Sequence, residues 1–179
     1  MQKNNPRLTR DFNDMLMTLK TTSPENAYFE IDGDTMENAL KTSLKNMRDF
    51  TLLIRGPPNT PYSGGKFRIR IEIQADNEND FPHKQPKVTF LTKILHPNIK
   101  DTSICLDTLI KRWSCALRLN SLFLSIYSLL ESPNSNDPLD PVAGTKFRDT
   151  PEIFKKEAIE LTKKYAIPDD FRAYYSICQ

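Results

Sequence analysis

Four side chains between residues 96 and 137 are of the types that acyl-transfer chemistry uses: a thiol at Cys105, an imidazole at His96, a primary amide at Asn98 and a carboxylate at Asp137. A thiol attacks as its thiolate, so a nucleophilic cysteine needs a base or surroundings that favour the anion. His96 is the imidazole nearest to Cys105 in sequence, and it directly precedes Pro97, where it can equally anchor a loop. Asn98 offers an N–H donor of the kind found where an oxyanion develops, a contact worth ~3 kcal/mol. Asp137, in "ESPNSNDPLD", can hold or deprotonate an incoming amine. Each also has a plainer reading: Cys105 as a small buried hydrophobe, Asn98 as a turn residue after proline, Asp137 as the cap of a turn before Pro138.

Such residues need a rigid scaffold to carry them. Leu8, Phe12, Leu16 and Leu19 recur at helical spacing and predict a first helix over about residues 7 to 20. The period then changes, and "YFEI" (28–31), "DFTLLI" (49–54), "KFRIRIEI" (66–73) and "PKVTFL" (86–91) predict four strands. The third alternates Phe67, Ile69, Ile71 and Ile73 with Arg68, Arg70 and Glu72, as expected of an antiparallel meander with one buried and one wet face. "GPPNTPYSGG" supplies turn geometry between the second and third strands, and Asn77 to Asp80 reads as an exposed polar loop. No regular period holds from the fourth strand to Trp113, so Cys105 falls in an irregular segment.

Leu122, Ile126, Leu129 and Leu130 then mark a helix that Pro133 stops. Asp140-Pro141 and Thr150-Pro151 each read as a capping side chain before a proline at the first helical position. They open a short helix and a longer one, the latter burying Phe154, Ala158, Leu161 and Tyr165 and ending at Pro168. Phe171, Tyr174, Tyr175 and Ile177 give the tail, residues 168–179, apolar anchors with which to dock on the body. The expected fold class is α+β: helix, meander, then helices.

A chain of 179 residues with no low-complexity tract suits one core. Its formal charge of +2 gives no field strong enough to imply nucleic acid or an anionic membrane, which leaves proteins or small molecules as partners. The longest apolar run, "SLFLSIYSLL" at 121–130, is too short to span a bilayer, and no apolar region follows Met1 as a secretory signal requires, so cytoplasm or nucleus is the expected location. The three cysteines, Cys105, Cys115 and Cys178, form no CxxC, and His83 and His96 are the only histidines, so neither a metal nor a cofactor is expected. Cys115 and Cys178 read as small buried hydrophobes.

At the level of motifs, "GPPNTPYSGGKF", "FPHKQPKVTF", "HPNI", "SICLDTL", "WSCAL" and "SLFLSIYSLLESPNSNDPLDPVA" occur together and in this order. In this the sequence resembles the ubiquitin-conjugating enzymes, which carry ubiquitin or a ubiquitin-like protein as a thioester on a cysteine. The resemblance covers about residues 6 to 167. It implies a conjugating domain over 1–167 with the tail 168–179 docked on it, and a first helix against a four-stranded antiparallel sheet with helices behind. It also implies that Cys105 is the thioester cysteine, that Asn98 of "HPN" supports the oxyanion, and that Asp137 of "NDPL" orients or desolvates the attacking lysine. The implied partners are ubiquitin or a ubiquitin-like protein, an activating enzyme and ubiquitin ligases, met by Arg7 and Arg10 on the first helix, by His83, and by Ser114, Cys115 and Ala116.

Departures from the family pattern are local. The segment from "HPN" to Cys105 is one residue short and lacks a glycine, His83 stands where several members carry an aromatic, and Cys115 stands where a proline is usual. Two other readings accompany the resemblance: a non-catalytic binding module on the same fold, and an unrelated thiol enzyme with His96 as its base.

Overall fold

The computed structural model describes residues 5–23, 26–32, 47–104 and 113–169. Helix α1 (Pro6–Thr21) opens on Asn5, whose side chain accepts from the Leu8 amide at 3.0 Å, with Pro6 in the first turn where it costs no hydrogen bond. Its buried row is Leu8, Asp11, Phe12 and Met15. Leu16 and Leu19, expected on that stripe, are only partly buried at its margin. The inward turn puts a carboxylate against the core, and the Arg7 guanidinium meets it at 2.9 Å one helical turn away.

The four expected strands are present: β1 (Phe29–Ile31), β2 (Asp49–Arg55), β3 (Gly65–Glu72) and β4 (Lys87–Phe90), paired antiparallel in succession. Phe67, Ile69 and Ile71 lie wholly buried on one face. On the other face cross-strand ion pairs join Arg68 to Asp32, Lys66 to Glu30 and Arg70 to Asp49.

The sheet is larger than periodicity predicted. Two-residue strands β5 (Ile99–Lys100) and β6 (Ser103–Ile104) form a hairpin that joins β4 through Thr89 and Ser103. Its turn holds Asp101 at φ 54°, the left-handed region that aspartate tolerates. Pairs this short leave no repeat to read, which is why the segment looked irregular.

Helix α2 (Leu119–Glu131) packs on the inner face of the sheet, with Phe123 against Phe29 and Tyr127 against Tyr28. Helix α3 (Pro141–Asp149) is capped by Asp140, which accepts from the amides of Val142 and Ala143. Helix α4 (Pro151–Tyr165) also starts on proline, yet Thr150 makes no side-chain cap; its hydroxyl bonds back to the Lys146 carbonyl, because the residue is already committed to ending α3. Phe154, Ala158 and Thr162 are the buried row of α4. Leu161 is half-buried and Tyr165 is 40% exposed, its ring beneath the ammonium groups of Lys93 and Lys164 rather than in the core. Strand β7 (Ile167–Pro168) pairs with Gly65 and Lys66 of β3. The rest of the tail, with Phe171, Tyr174, Tyr175, Ile177 and Cys178, lies outside the described residues.

Candidate active site

The turn-rich loop between β2 and β3 forms the first wall of the site. Gly56 passes so close to Tyr62 that a Cβ there would sit 1.8 Å from the Tyr62 carbonyl oxygen, so only glycine fits. Tyr62 is 1% exposed, and its hydroxyl donates to the Leu95 carbonyl at 2.8 Å. Burial pushes the phenol's pKa up, so it remains a donor. The loop is thereby bolted to the residue before His96.

His96 is fully buried. The Asn98 amide donates to its Nδ1 at 2.9 Å, so Nδ1 carries the lone pair and Nε2 carries the hydrogen, which it donates to the Leu129 carbonyl of α2 at 3.0 Å. Desolvation lowers the ring's pKa to about 4. A neutral imidazole with both nitrogens occupied and no path to solvent cannot serve a thiol as base, so the reading of His96 as the base of a thiol enzyme is overturned. It is the loop anchor.

Asn98 is also fully buried, and its amide is spent on another loop. Nδ2 donates to the carbonyls of Asn134, at 2.9 Å, and Asp137, at 3.3 Å, while Oδ1 accepts from the Asn134 amide at 2.8 Å. Asn98 thus staples the 134–137 loop to the segment that leads into β5. Asp140 adds a second staple, its amide donating to the Pro97 carbonyl at 2.9 Å. Asp137 is exposed, so its carboxylate is open to solvent on a loop whose backbone is held. Cys105 follows Ile104 of β6 in sequence and lies outside the described residues.

The residues expected to meet partners surround the amino end of α1. Arg7 donates to the Leu117 carbonyl at 2.8 Å, joining the helix to the loop that carries Ser114, Cys115 and Ala116, all three exposed. Arg10 is exposed on the same helix. His83 is exposed, and its Nδ1 lies 3.1 Å from Cys115 Sγ. Cys115 is therefore not the buried hydrophobe the sequence suggested. Below the pair, the Trp113 indole donates to the Pro82 carbonyl at 2.9 Å, and its ring packs on Phe81. The polar stretch at 77–80 is likewise not all surface: Asp80 is 3% exposed and accepts from the amides of Asp76 and Asn77 and from Lys84. That bond from Lys84 holds its carboxyl below the usual range.

A family model described as ubiquitin-conjugating enzyme matches residues 7–162, from α1 through most of α4. The chain belongs to that family. Among curated relatives it is 43% identical over 122 residues to the protein named probable ubiquitin-conjugating enzyme E2 31 of Arabidopsis thaliana, covering 68% of this chain and 77% of the relative. It is 38% identical over 129 residues to the human ubiquitin-conjugating enzyme E2 K, covering 70% of this chain and 62% of that longer protein, less than two thirds of its length. Among solved structures it resembles one described as a putative ubiquitin conjugating enzyme from Plasmodium yoelii, with a TM-score of 0.72 and 32% identity over 92% of this chain and 97% of that one.

Within this ubiquitin-conjugating frame, several positioning residues went unread in the sequence. Tyr62 and Asn134 hold the floor of the site, and Trp113 locks two loops of the α1 face. A signal existed for two of them: a tyrosine inside a proline- and glycine-rich turn and the only tryptophan of the chain are both too large to be left without a purpose. Asn134 lay in a polar turn and gave none.

Proposed function

We propose that this chain accepts ubiquitin from an activating enzyme as a thioester on Cys105 and passes it to a substrate lysine or to a ligase cysteine. The observation that supports this best is the staple made by Asn98, which holds the Asp137 loop against the segment leading to Cys105. A thioester is already activated toward amines, so transfer needs no strong base beside the sulfur and depends on positioning and on relief of charge in the tetrahedral intermediate. The neutral, sealed His96 fits such a site.

Asn98 acts here first as a positioning residue. To donate to the oxyanion, Nδ2 releases the Asp137 carbonyl, the longer of its two contacts at 3.3 Å, and keeps the Asn134 carbonyl at 2.9 Å. Asp137, free at the surface, attracts the lysine ammonium and holds it near the thioester until the amine attacks. The conjugating domain takes in residues 1–167, and the tail docks on it; the pairing of β7 with β3 supports that docking. The activating enzyme and ligases meet Arg7, Arg10, His83, Ser114, Cys115 and Ala116, a small exposed face suited to partners that exchange.

The test is intact mass after incubation with activating enzyme, ATP and ubiquitin, for wild type and Cys105→Ala, with and without thiol reductant. A ubiquitin-sized adduct that reductant removes and the variant lacks is expected. Absence of any adduct with ubiquitin, and with ubiquitin-like proteins and their own activating enzymes, would make the chain a non-catalytic module.

A further inference from the structure

We propose that Cys115 and His83 form a reactive thiol pair, a modification site at which Cys115 undergoes exchange with small disulfides. Nothing in the conjugating chemistry requires a second thiol, and this one has an imidazole beside it. Its Sγ lies 3.1 Å from His83 Nδ1, within reach for a hydrogen bond to sulfur, and both side chains are exposed, so a disulfide can approach the sulfur from solvent. The pairing is not a chance meeting of two mobile chains. The loop of His83 is fixed by its own amide on the Asp80 carbonyl at 2.7 Å, and the loop of Cys115 is tied to it through Trp113 and Pro82. The site opens beside a groove lined by Asn5, Arg7, Glu78 and His83, which leaves room for the second half of a disulfide.

The exchange balances without an added oxidant. The thiol proton moves to Nδ1, Sγ attacks one sulfur of the disulfide, the old S–S bond breaks as the new one forms, and the departing thiolate takes the proton back from the imidazolium. One thiol and one disulfide enter, and one of each leaves. Among the described residues, the charged groups around the pair are Arg7 on α1 and Asp76, Glu78, Asp80 and Lys84 on the loop of His83; Arg118, beyond Cys115, is paired with Asp14. Because the pair lies on the face assigned above to activating enzyme and ligases, the mixed disulfide would obstruct their docking. That consequence rests on the proposed function, whereas the reactivity does not.

The experiment uses a Cys105→Ala, Cys178→Ala protein, in which Cys115 is the remaining thiol, and follows release of thionitrobenzoate from the dinitrobenzoate disulfide without ubiquitin or activating enzyme. Added His83→Gln and His83→Phe changes are expected to slow the exchange roughly tenfold or more, since the imidazole that takes the thiol proton is gone. Glutamine keeps a hydrogen-bonding side chain but takes up no proton. Rates that match the parent in either variant would overturn the proposal, as would peptide mapping that places the adduct away from Cys115. A failure of ubiquitin loading on Cys105 would leave this result untouched.

Discussion

The two histidines of the chain stand in opposite settings. His96 has no exposed surface, gives each nitrogen one backbone partner and is kept neutral by burial. His83 is exposed and turns Nδ1 to a thiol. The floor around His96 is a satisfied buried polar network, which in a low dielectric fixes one geometry because any lost bond leaves a group that water cannot reach. The face around His83 is held by its backbone and by the side chains of Arg7 and Trp113, while His83, Ser114, Cys115 and Ala116 are open to solvent. Under the proposed function, the first region positions the reaction and the second meets the partners.

The largest effect should come from cutting the floor. Asn98→Ala leaves the Asn134 amide and the carbonyls of Asn134 and Asp137 without their partner, and should cost ~2–4 kcal/mol in urea unfolding. In single-turnover discharge of the thioester to free lysine it should slow transfer ~10²-fold or more, while thioester formation falls far less. Equal losses in both steps would remove the distinction between positioning and loading.

Acid should loosen the same region. The folded pKa of His96 lies at about 4, below the ordinary 6.5, so between those values the unfolded chain binds more protons. The neutral ring's contribution is therefore complete above about pH 6.5 and is lost as pH falls toward 4, about 3 kcal/mol in all. Urea midpoints across that window should drop for wild type and change less for His96→Gln; identical profiles would end the case for a neutral buried ring.

On the α1 face the two arginines separate. Arg7→Ala strands the buried Asp11 carboxylate and should destabilise by ~2 kcal/mol, measured by thermal or urea unfolding. Arg10→Ala should move stability by less than ~0.5 kcal/mol yet slow loading by the activating enzyme several-fold. If Arg10 matters to stability as much as Arg7, the face is not the open surface described.

How much of this was legible follows from the length of each signal. The strand β3, with alternation across eight residues, and the apolar row of α2 were read with nearly correct bounds. The β5–β6 hairpin was not, because two residues carry no period. Thr150 was read as a cap because its sequence context matches that of Asp140, and only the abutting helices show that its hydroxyl is already engaged with α3. Tyr165 was placed in the core by spacing alone, where two lysines instead make its ring an outer seat. At the site, Asn98, Asp137 and His96 were found as residue types, but which bonds they spend on loops depends on contacts between distant segments that no local pattern encodes.

The β7 pairing carries a mechanical consequence. Residues 167–169 are hydrogen-bonded to Gly65 and Lys66 and, through the Asp169 amide, to the Gly64 carbonyl, while the turn ending at Gly64 contains Tyr62, whose hydroxyl holds Leu95 next to His96. Tension applied to the chain after Asp169, by a tethered cargo or a fused domain, would therefore load this turn directly and reach the segment before Asn98 through one phenol. A fusion placed there needs a slack spacer if the enzyme is to be left unstressed.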